Sequence, residues 1–376
     1  MQVDLRAKAL AKEGKSIVNF CVGEPDFSMP EAAKEAIVRG ALEGAAKYTN
    51  ASGTNELKSA AAAYLSRGEL RYDPAEIAVT TGGKYAVYAA VMVLTEPGDE
   101  VILPAPYWTS YYHIIKLAGA VPVVLPGKKE NGYKVTAEEI LRAATPRTKA
   151  LILNNPNNPS GAVYGKEELS KIYEAVQEAD LYVIADEIYD HLLYTKEPFI
   201  SFASLSEDAK ARTVTINGVS KTFAMTGQRI GFMAAERPII SAASALLSHT
   251  TGCPNALAQA AALAVLESTP PELAEMQEAF LRRRNLLVSG LSGLPGISFP
   301  VPEGAFYMML RLEQPLLYKF VDGERFAMAL LEKAGVATVP CGDYGVPEAV
   351  RISFSVSDTE LSEGIRRIRE FIMAEV

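Results

Sequence analysis

Short apolar runs alternate with helical stretches from residue 77 to residue 216, and this alternation constrains the fold of the chain more than any other feature. Strand-length runs rich in β-branched and apolar residues occur at 77–81, 100–103, 121–125, 150–153, 181–185 and 213–216. Strands that alternate with helices form βαβ units, whose parallel strands are covered by helices on both faces. The sequence therefore predicts an α/β protein with a mostly parallel sheet.

The pattern changes after about residue 245, where regular strand–helix alternation ends. The elements predicted beyond this point are long helices and shorter strands in mixed order, at 256–267, 272–292, 297–299, 305–310, 323–334, 337–339 and 351–355, with a C-terminal helix. This α+β order predicts a second, smaller domain. We expect residues 36–270 to form the large domain, and residues 1–35 to pack with residues 271–376 in the small one.

Composition and charge argue against several classes of protein. The 37 basic and 45 acidic residues give a net charge of −8 without a cluster of Lys and Arg, which argues against nucleic acid as a partner. The longest apolar run, at 86–94, is far too short to span a membrane, and the charged N-terminus has no apolar signal-peptide core. The three cysteines cannot all pair with one another, which suits a reducing compartment. We therefore expect a cytoplasmic protein.

Residues able to carry chemistry follow several of the predicted strands. In open parallel sheets, ligands bind beyond the carboxyl ends of the strands. The side chains and glycines found there, together with an arginine from the small domain, are Gly82-Gly83-Lys84, Asn158, Asp186, Tyr189, Lys221, Arg229 and Arg351. The sequence predicts that one crevice collects them.

Nucleotide and metal sites find no support in the sequence. No G-x-G-x-x-G follows a predicted strand and no G-x-x-x-x-G-K-[ST] occurs, so the dinucleotide fingerprint and the triphosphate cradle are both missing. His113, His191 and His249 are scattered without the spacing of metal ligands, and no metal site is predicted. The run 282–284 of three arginines is interpreted as a solvated helix face.

A resemblance to a known family explains this set of residues. Ser220-Lys221, followed by Gly227, Arg229 and Gly231, resembles the pyridoxal phosphate attachment motif S-K-x5-G-x-R-x-G of class I (fold type I) aminotransferases. Five further segments are similar to signatures of that family and occur in the family's order: 23–27, 158–161, 186–189, 304–307 and 351–355. The resemblance covers essentially the whole chain and is strongest to the bacterial aspartate aminotransferase branch. It implies an aspartate aminotransferase-like fold with a seven-stranded sheet in the large domain.

The resemblance also implies pyridoxal 5′-phosphate as cofactor and assigns roles to the residues. Lys221 would form the Schiff base and shuttle the proton, Asp186 would pair with the pyridinium nitrogen, and Tyr189 would tune the linkage. The remaining residues implied to bind the cofactor lie around its phosphate, its ring and its 3′-oxygen: Gly82, Gly83, Lys84, Trp108, Asn158, Ser220 and Arg229. Tyr48 resembles the residue that these enzymes contribute to the neighbouring subunit, which implies a homodimer with shared sites.

Substrate residues follow from the same resemblance. Arg351 would bind the α-carboxylate as a planar fork, and Gly23 would let its backbone approach that group closely. Trp108 and Asn158 would also contact the substrate. In the branch that acts on aspartate, a lysine at the position of Lys84 reaches the distal carboxylate. Otherwise Lys84 supplements the charge around the phosphate or faces solvent.

The leading function is thus transfer of an amino group between an amino acid, aspartate or glutamate in the first place, and a 2-oxo acid. Aromatic amino acids, alanine and prephenate are the alternative substrates. A pyridoxal-dependent carbon–sulfur lyase on the same fold is a second enzyme hypothesis, since the cofactor site alone does not fix the reaction. A regulator that binds pyridoxal phosphate would need a helix-turn-helix segment, which the sequence does not offer.

Overall fold

The computed structural model describes residues 2–268 and 270–376. Within these ranges the helices are α1 (Gln2–Lys12), α2 (Glu31–Leu42), α3 (Asn55–Leu65), α4 (Gly83–Leu94), α5 (Ser110–Leu117), α6 (Ala137–Ala143), α7 (Lys166–Glu178), α8 (Glu207–Arg212), α9 (Arg237–Thr250), α10 (Ala256–Ser268), α11 (Glu272–Leu291), α12 (Leu316–Phe320), α13 (Gly323–Ala334) and α14 (Asp358–Glu375). The strands are β1 (Val18–Asn19), β2 (Ile77–Thr80), β3 (Glu100–Ala105), β4 (Val121–Pro126), β5 (Thr148–Asn154), β6 (Tyr182–Asp186), β7 (Thr213–Gly218), β8 (Gly231–Ala234), β9 (Ile297–Ser298), β10 (Tyr307–Leu312), β11 (Val336–Ala337), β12 (Val339–Pro340) and β13 (Ala349–Ser353).

The predicted mostly parallel, seven-stranded sheet is confirmed. Its strand order is β2-β8-β7-β6-β5-β3-β4, and β3 to β7 run parallel to their neighbours within this group. Only β8 is antiparallel, to β2 on one side and to β7 on the other. Alternation alone did not predict β8, because an apolar run of four residues does not distinguish a strand from a buried helix.

The C-terminal part of the chain builds a second, smaller sheet. This sheet has four strands in the order β12-β13-β10-β9, and each strand is antiparallel to its neighbours. The strand predicted at 337–339 is divided between β11 and β12, since β11 pairs in parallel with β1 instead of joining this sheet. The pairing of β1 with β11 places the start of the chain beside its C-terminal third. The domain bounds at 36 and 270 stay a prediction, and Thr269 at that boundary lies outside the described residues.

The segment that follows β1 is held to the C-terminal elements by hydrogen bonds and an ion-pair network. The amide of Ser353 donates to the carbonyl of Phe20 at 3.0 Å, and the amide of Asp26 donates to Ser355 Oγ at 3.0 Å. Arg283 on α11 pairs with both Asp26, at 2.7 Å, and Asp358, at 2.9 Å. The interpretation of 282–284 as a solvated face is therefore wrong for Arg283, which is buried because it bridges two carboxylates.

In residues 2–268 and 270–376, no helix has both the length and the apolar character that crossing a membrane requires.

Candidate active site

A cavity of about 770 Å³ opens at the carboxyl ends of the large sheet's strands and is closed on its other side by the N-terminal segment and the small sheet. All of the predicted site residues line it except Gly82 and Tyr48: Gly23, Gly83, Lys84, Trp108, Asn158, Asp186, Tyr189, Ser220, Lys221, Arg229 and Arg351. The strand ends explain this convergence. Strands β5, β6 and β7 end side by side, so the residues at and beyond their last positions meet at one edge of the sheet.

Asp186 is the last residue of β6 and its carboxylate is buried at the floor of the cavity. Oδ2 accepts a 2.6 Å hydrogen bond from the hydroxyl of Tyr111, and Oδ1 accepts one from the amide of Ile188 at 3.2 Å. Burial raises the pKa of Asp186 to about 6, although both hydrogen bonds and the nearby Lys221 oppose the rise. A carboxylate in this environment favours a cationic partner, because such a partner offsets the cost of burying its charge.

Lys221 projects into the cavity from the loop after β7. Its ammonium group donates a hydrogen bond to the backbone carbonyl of Gly23, on the opposite wall. Burial, with a smaller contribution from the positive charge of Arg351, lowers the pKa of Lys221 to about 8. An amine with such a pKa loses its proton far more readily than a surface lysine does, which suits both nucleophilic attack and proton transfer.

Arg351 is on β13 and is buried, with 6% of its surface exposed. Its Nη1 donates to Asn158 Oδ1 at 3.1 Å, and its Nη2 donates to the carbonyl of Cys21 at 3.1 Å. The guanidinium carbon lies 4.4 Å from the ring centre of Tyr307, while Nε is a buried donor without a partner in the described part of the chain. An arginine held flat in this way, with donor capacity left, is suited to bind a planar carboxylate.

Tyr189 lies in the turn after β6, is buried at the cavity wall and packs against two aromatic residues. Its hydroxyl is 3.2 Å from that of Tyr307, and its ring meets those of Phe306 and Tyr307 edge to face. Burial and the neighbouring Tyr307 hold the pKa of Tyr189 well above its ordinary value. The phenol therefore stays protonated at neutral pH and is available as a hydrogen-bond donor.

The start of α4 forms a positively polarised corner of the cavity. The first N–H groups of a helix, here those of Gly83 and Lys84, have no acceptor within the helix and attract anions. Gly82 precedes them with φ +89°, and a Cβ at that position would lie 2.5 Å from Arg229 Nη2. Gly82 itself does not line the cavity. Because it has no side chain, it allows the guanidinium of Arg229 to approach the helix start. Ser220 lines the same cavity.

Lys84 and Trp108 contact each other above this corner. The ammonium of Lys84 lies 4.9 Å from the centre of the Trp108 ring, and that ring meets Tyr111 edge to face at 5.3 Å. A cation over an indole face is attracted by its π electrons, so this contact holds Lys84 at the cavity wall.

Tyr48 is a predicted site residue that does not line the cavity. It lies between α2 and α3 and is 97% exposed. A single chain therefore does not bring Tyr48 to its own Lys221.

Several cavity residues were missed by the sequence reasoning, among them Tyr111, Asn154, Tyr307 and Glu24. Tyr111 had a detectable signal, since it comes three residues after Trp108 and such a spacing often places two side chains together. Asn154 supports the loop before Asn158, because its Oδ1 accepts from the amide of Asn158 at 2.8 Å while its Nδ2 donates to the carbonyl of Asp186 at 3.0 Å. Only the folded backbone shows this role.

Comparison with known protein sequences finds aminotransferases. The sequence profile of the family described as aminotransferase class I and II matches residues 15–368. The chain is 41% identical to an aspartate aminotransferase of Bacillus subtilis, over 99% of this chain and 95% of that protein. It is 39% identical to a probable aspartate/prephenate aminotransferase of Aquifex aeolicus, over 98% of this chain and 94% of the relative.

Solved structures of aspartate aminotransferases have a similar fold over nearly the whole chain. The aspartate aminotransferase of Rhizobium meliloti superposes with a TM-score of 0.94 at 38% identity, covering 99% of this chain and 95% of that one. The aspartate aminotransferase of Thermus thermophilus, in a structure with maleate, gives a TM-score of 0.92 at 39% identity, covering 98% and 95%.

Proposed function

The chain belongs to the class I and II aminotransferases, and from this premise we propose that it transfers the amino group of aspartate or glutamate to a 2-oxo acid, using pyridoxal 5′-phosphate held on Lys221. The observation that carries the proposal is one cavity that contains an amine of lowered pKa, a buried carboxylate and a buried guanidinium. These are Lys221, Asp186 and Arg351.

The residues present fit this cofactor. Its phosphate suits the free N–H groups at the start of α4, together with Arg229 and Ser220. The ring nitrogen, when protonated, would supply the cation that the buried Asp186 carboxylate favours. Gly82 also supports a phosphate site at the start of α4. There is no room for a Cβ at this position, because a side chain there would displace Arg229 from the helix start.

When bound, pyridoxal phosphate supplies an aldehyde that takes up the amino group and a ring that accepts electron density from the substrate Cα. Lys221 would bind the cofactor through Nζ and then, once released, would carry the proton between the substrate Cα and the cofactor C4′. Asp186 would keep a proton on the ring nitrogen. Tyr189 and Asn158 would hydrogen-bond the 3′-oxygen, while Trp108 would stack on the ring and exclude water from that face.

Arg351 would bind the substrate α-carboxylate and so fix which bond of Cα faces Lys221. The guanidinium is already held by Asn158, by the Cys21 carbonyl and by the Tyr307 ring, so binding costs little reorganisation. Gly23 would admit the carboxylate beside its backbone, since it carries no side chain to fill that space.

Lys84 supports an acidic substrate. Its ammonium stands at the cavity wall over Trp108, within the same cavity as Arg351, and it would bind the distal carboxylate. Relatives named aspartate aminotransferase, one of them in a structure with maleate, agree with a substrate that has two carboxylates. Relatives named aspartate/prephenate aminotransferase make prephenate, also a dicarboxylate, the second candidate.

The proposal includes a cytoplasmic homodimer in which Tyr48 reaches the phosphate in the partner's site. The exposed apolar residues Val38 and Leu42 on α2, near the exposed Tyr48, support an interface there. The chain has three cysteines, an odd number that cannot form an all-disulfide set, and this supports a reducing compartment.

The test is to add single amino acids to the protein loaded with pyridoxal phosphate and to follow the cofactor absorbance together with the 2-oxo acid released. We expect aspartate and glutamate to convert the cofactor to its amine form in one half-reaction, and a 2-oxo acid to restore it. Release of pyruvate and ammonia without any acceptor would instead identify a carbon–sulfur lyase.

A further inference from the structure

A buried group of charged side chains lies beneath the cavity and is not among the residues that line it. Glu187 and Asp190 belong to the turn that carries Tyr189 and are 3% and 2% exposed. Arg67, beyond the end of α3, forms an ion pair with Asp190. Burial raises the pKa of Glu187 to about 8, although Arg67 opposes the rise, and its carboxylate accepts from Ser201 Oγ at 2.9 Å.

Asn217 connects this group to the strand that leads to Lys221. Its Nδ2 donates to Asp190 Oδ2 at 2.9 Å and to the carbonyl of Glu187 at 3.1 Å. Its Oδ1 accepts from the amide of Gly218, the last residue of β7, at 2.7 Å. One side-chain amide thus joins the turn that carries Tyr189 to the loop that carries Lys221.

The energetics argue against stability as the main contribution of this group. A buried ion pair is often no more stabilising than apolar residues of the same volume. One oxygen of the group itself, Asp190 Oδ1, is buried without a hydrogen-bond partner in the described residues. A buried acceptor in this state lowers the stability of the fold. What the group does provide is a fixed geometry, because Arg67 Nη2 and Asn217 Nδ2 both donate to the same carboxylate oxygen, Asp190 Oδ2.

We propose that Arg67, Asp190 and Asn217 are positioning residues that fix Tyr189 and Lys221 relative to each other. None of the three lines the cavity, so they act through the backbone of the two loops and not by contact with substrate or cofactor. The inference rests on the proposed function, in which Tyr189 and Lys221 both contact pyridoxal phosphate.

The test uses the protein loaded with pyridoxal phosphate and the variant Asp190→Asn. This change removes the charge but keeps the shape of the side chain. We expect kcat to fall about tenfold while KM for the amino acid changes less than about twofold, since positioning affects the reacting geometry more than binding. The pH midpoint of the absorbance of the Lys221-linked cofactor should also shift, because the hydrogen bond that Tyr189 would donate to the 3′-oxygen affects the protonation of the linked Lys221 nitrogen.

The matched control is Glu76→Gln. Glu76 is also buried and pairs with Lys210 at 2.8 Å, but it lies before β2, away from the carboxyl ends of the parallel strands. We expect this variant to lower Tm without a change in kcat or in the absorbance midpoint.

Arg67→Lys covers the case in which Asp190→Asn does not fold. This variant keeps the positive charge, on a side chain that is a quarter exposed, but loses the planar guanidinium. We expect a smaller loss of kcat than in Asp190→Asn, with a shift of the absorbance midpoint in the same direction. The proposal is overturned if the folded variants lower Tm as Glu76→Gln does and leave kcat and midpoint unchanged. Failure of the proposed function would look different, since the unaltered protein would then show either no Lys221-linked absorbance or no transfer of the amino group to a 2-oxo acid.

Discussion

Lys221 and Arg351 share one cavity, and burial disfavours the charged form of both, but only the lysine comes close to losing its proton. Desolvation lowers the pKa of the lysine to about 8, whereas an arginine keeps its proton at any pH at which the protein is folded. In the proposed mechanism the pair would divide the work that a transaminase needs, with a mobile proton at Lys221 Nζ and a permanent charge at Arg351. Neither residue would serve in the place of the other.

The lowered pKa of Lys221 is testable in the protein without cofactor. We expect acylation of Lys221 by acetic anhydride to rise with pH around a midpoint of about 8, because the neutral amine is the reactive form. An unperturbed lysine has a pKa of about 10.4. Peptide mass spectrometry measures the label, with Lys166 at the exposed start of α7 as the reference. A Lys221 that follows the profile of Lys166 would contradict the burial argument.

Lys84→Ser tests the substrate assignment. We expect kcat/KM for aspartate to fall roughly ten- to a hundredfold, because a partly shielded charge pair with the distal carboxylate contributes about 1.5–3 kcal/mol. Alanine and phenylalanine carry no such carboxylate and serve as internal controls, for which little change is expected. Equal losses for all three substrates would assign Lys84 to the cofactor phosphate instead.

At the scale of elements, the start of α4 combines three features that depend on one another: a left-handed glycine, two free N–H groups and an arginine packed against them. Arg229 itself has a left-handed backbone, with φ +56°, which costs about 1–3 kcal/mol for a residue with a side chain. The loop from Ser220 to Gly231 therefore holds its arginine in place at some cost in stability.

Gly82→Ala should separate this geometry from ordinary backbone strain. We expect pyridoxal phosphate to bind about ten- to a hundredfold more weakly, because the new Cβ would meet Arg229 Nη2 at 2.5 Å and push it from the helix start. Gly98→Ala is the matched control, with φ +93° and no atom within 4 Å of the new Cβ. It should lower Tm by a similar amount and leave cofactor affinity unchanged, and equal affinity loss in both variants would refute the role of Arg229.

The elements also show what could be predicted from sequence. Strand β6 ends at Asp186, one residue beyond the prediction, so alternation alone placed this carboxylate at the correct edge of the sheet. Arg283 was misjudged although α11 carries the signal, since Phe280 and Leu287 lie three and four residues away and are both buried on the same face. The hydrogen bonds that Asn154 and Asn217 donate to the carbonyls of Asp186 and Glu187 lie beyond sequence reasoning, because they depend on the register of neighbouring strands.

At the scale of the whole molecule, the exposed Tyr48 is the feature that a single chain does not explain. Mixing Tyr48→Phe subunits with Lys221→Ala subunits tests whether it acts across an interface. A hybrid dimer would then contain one site with Lys221 and Tyr48 both intact, so activity at low cofactor concentration should exceed the mean of the two parent dimers. Activity no greater than that mean, or a fully active monomer in ultracentrifugation, would contradict the shared site.

The pairing of the chain's beginning with its end has a consequence for synthesis on the ribosome. Val18 pairs with Val336, and Cys21 and Phe20 receive hydrogen bonds from Arg351 and Ser353. A nascent chain emerges N-terminus first, so residues 18–23 cannot form these contacts with the C-terminal strands until nearly all of the polypeptide has been translated. The carbonyl of Gly23, which accepts the hydrogen bond from Lys221, belongs to this N-terminal segment. The cavity is thus completed only when translation is almost over.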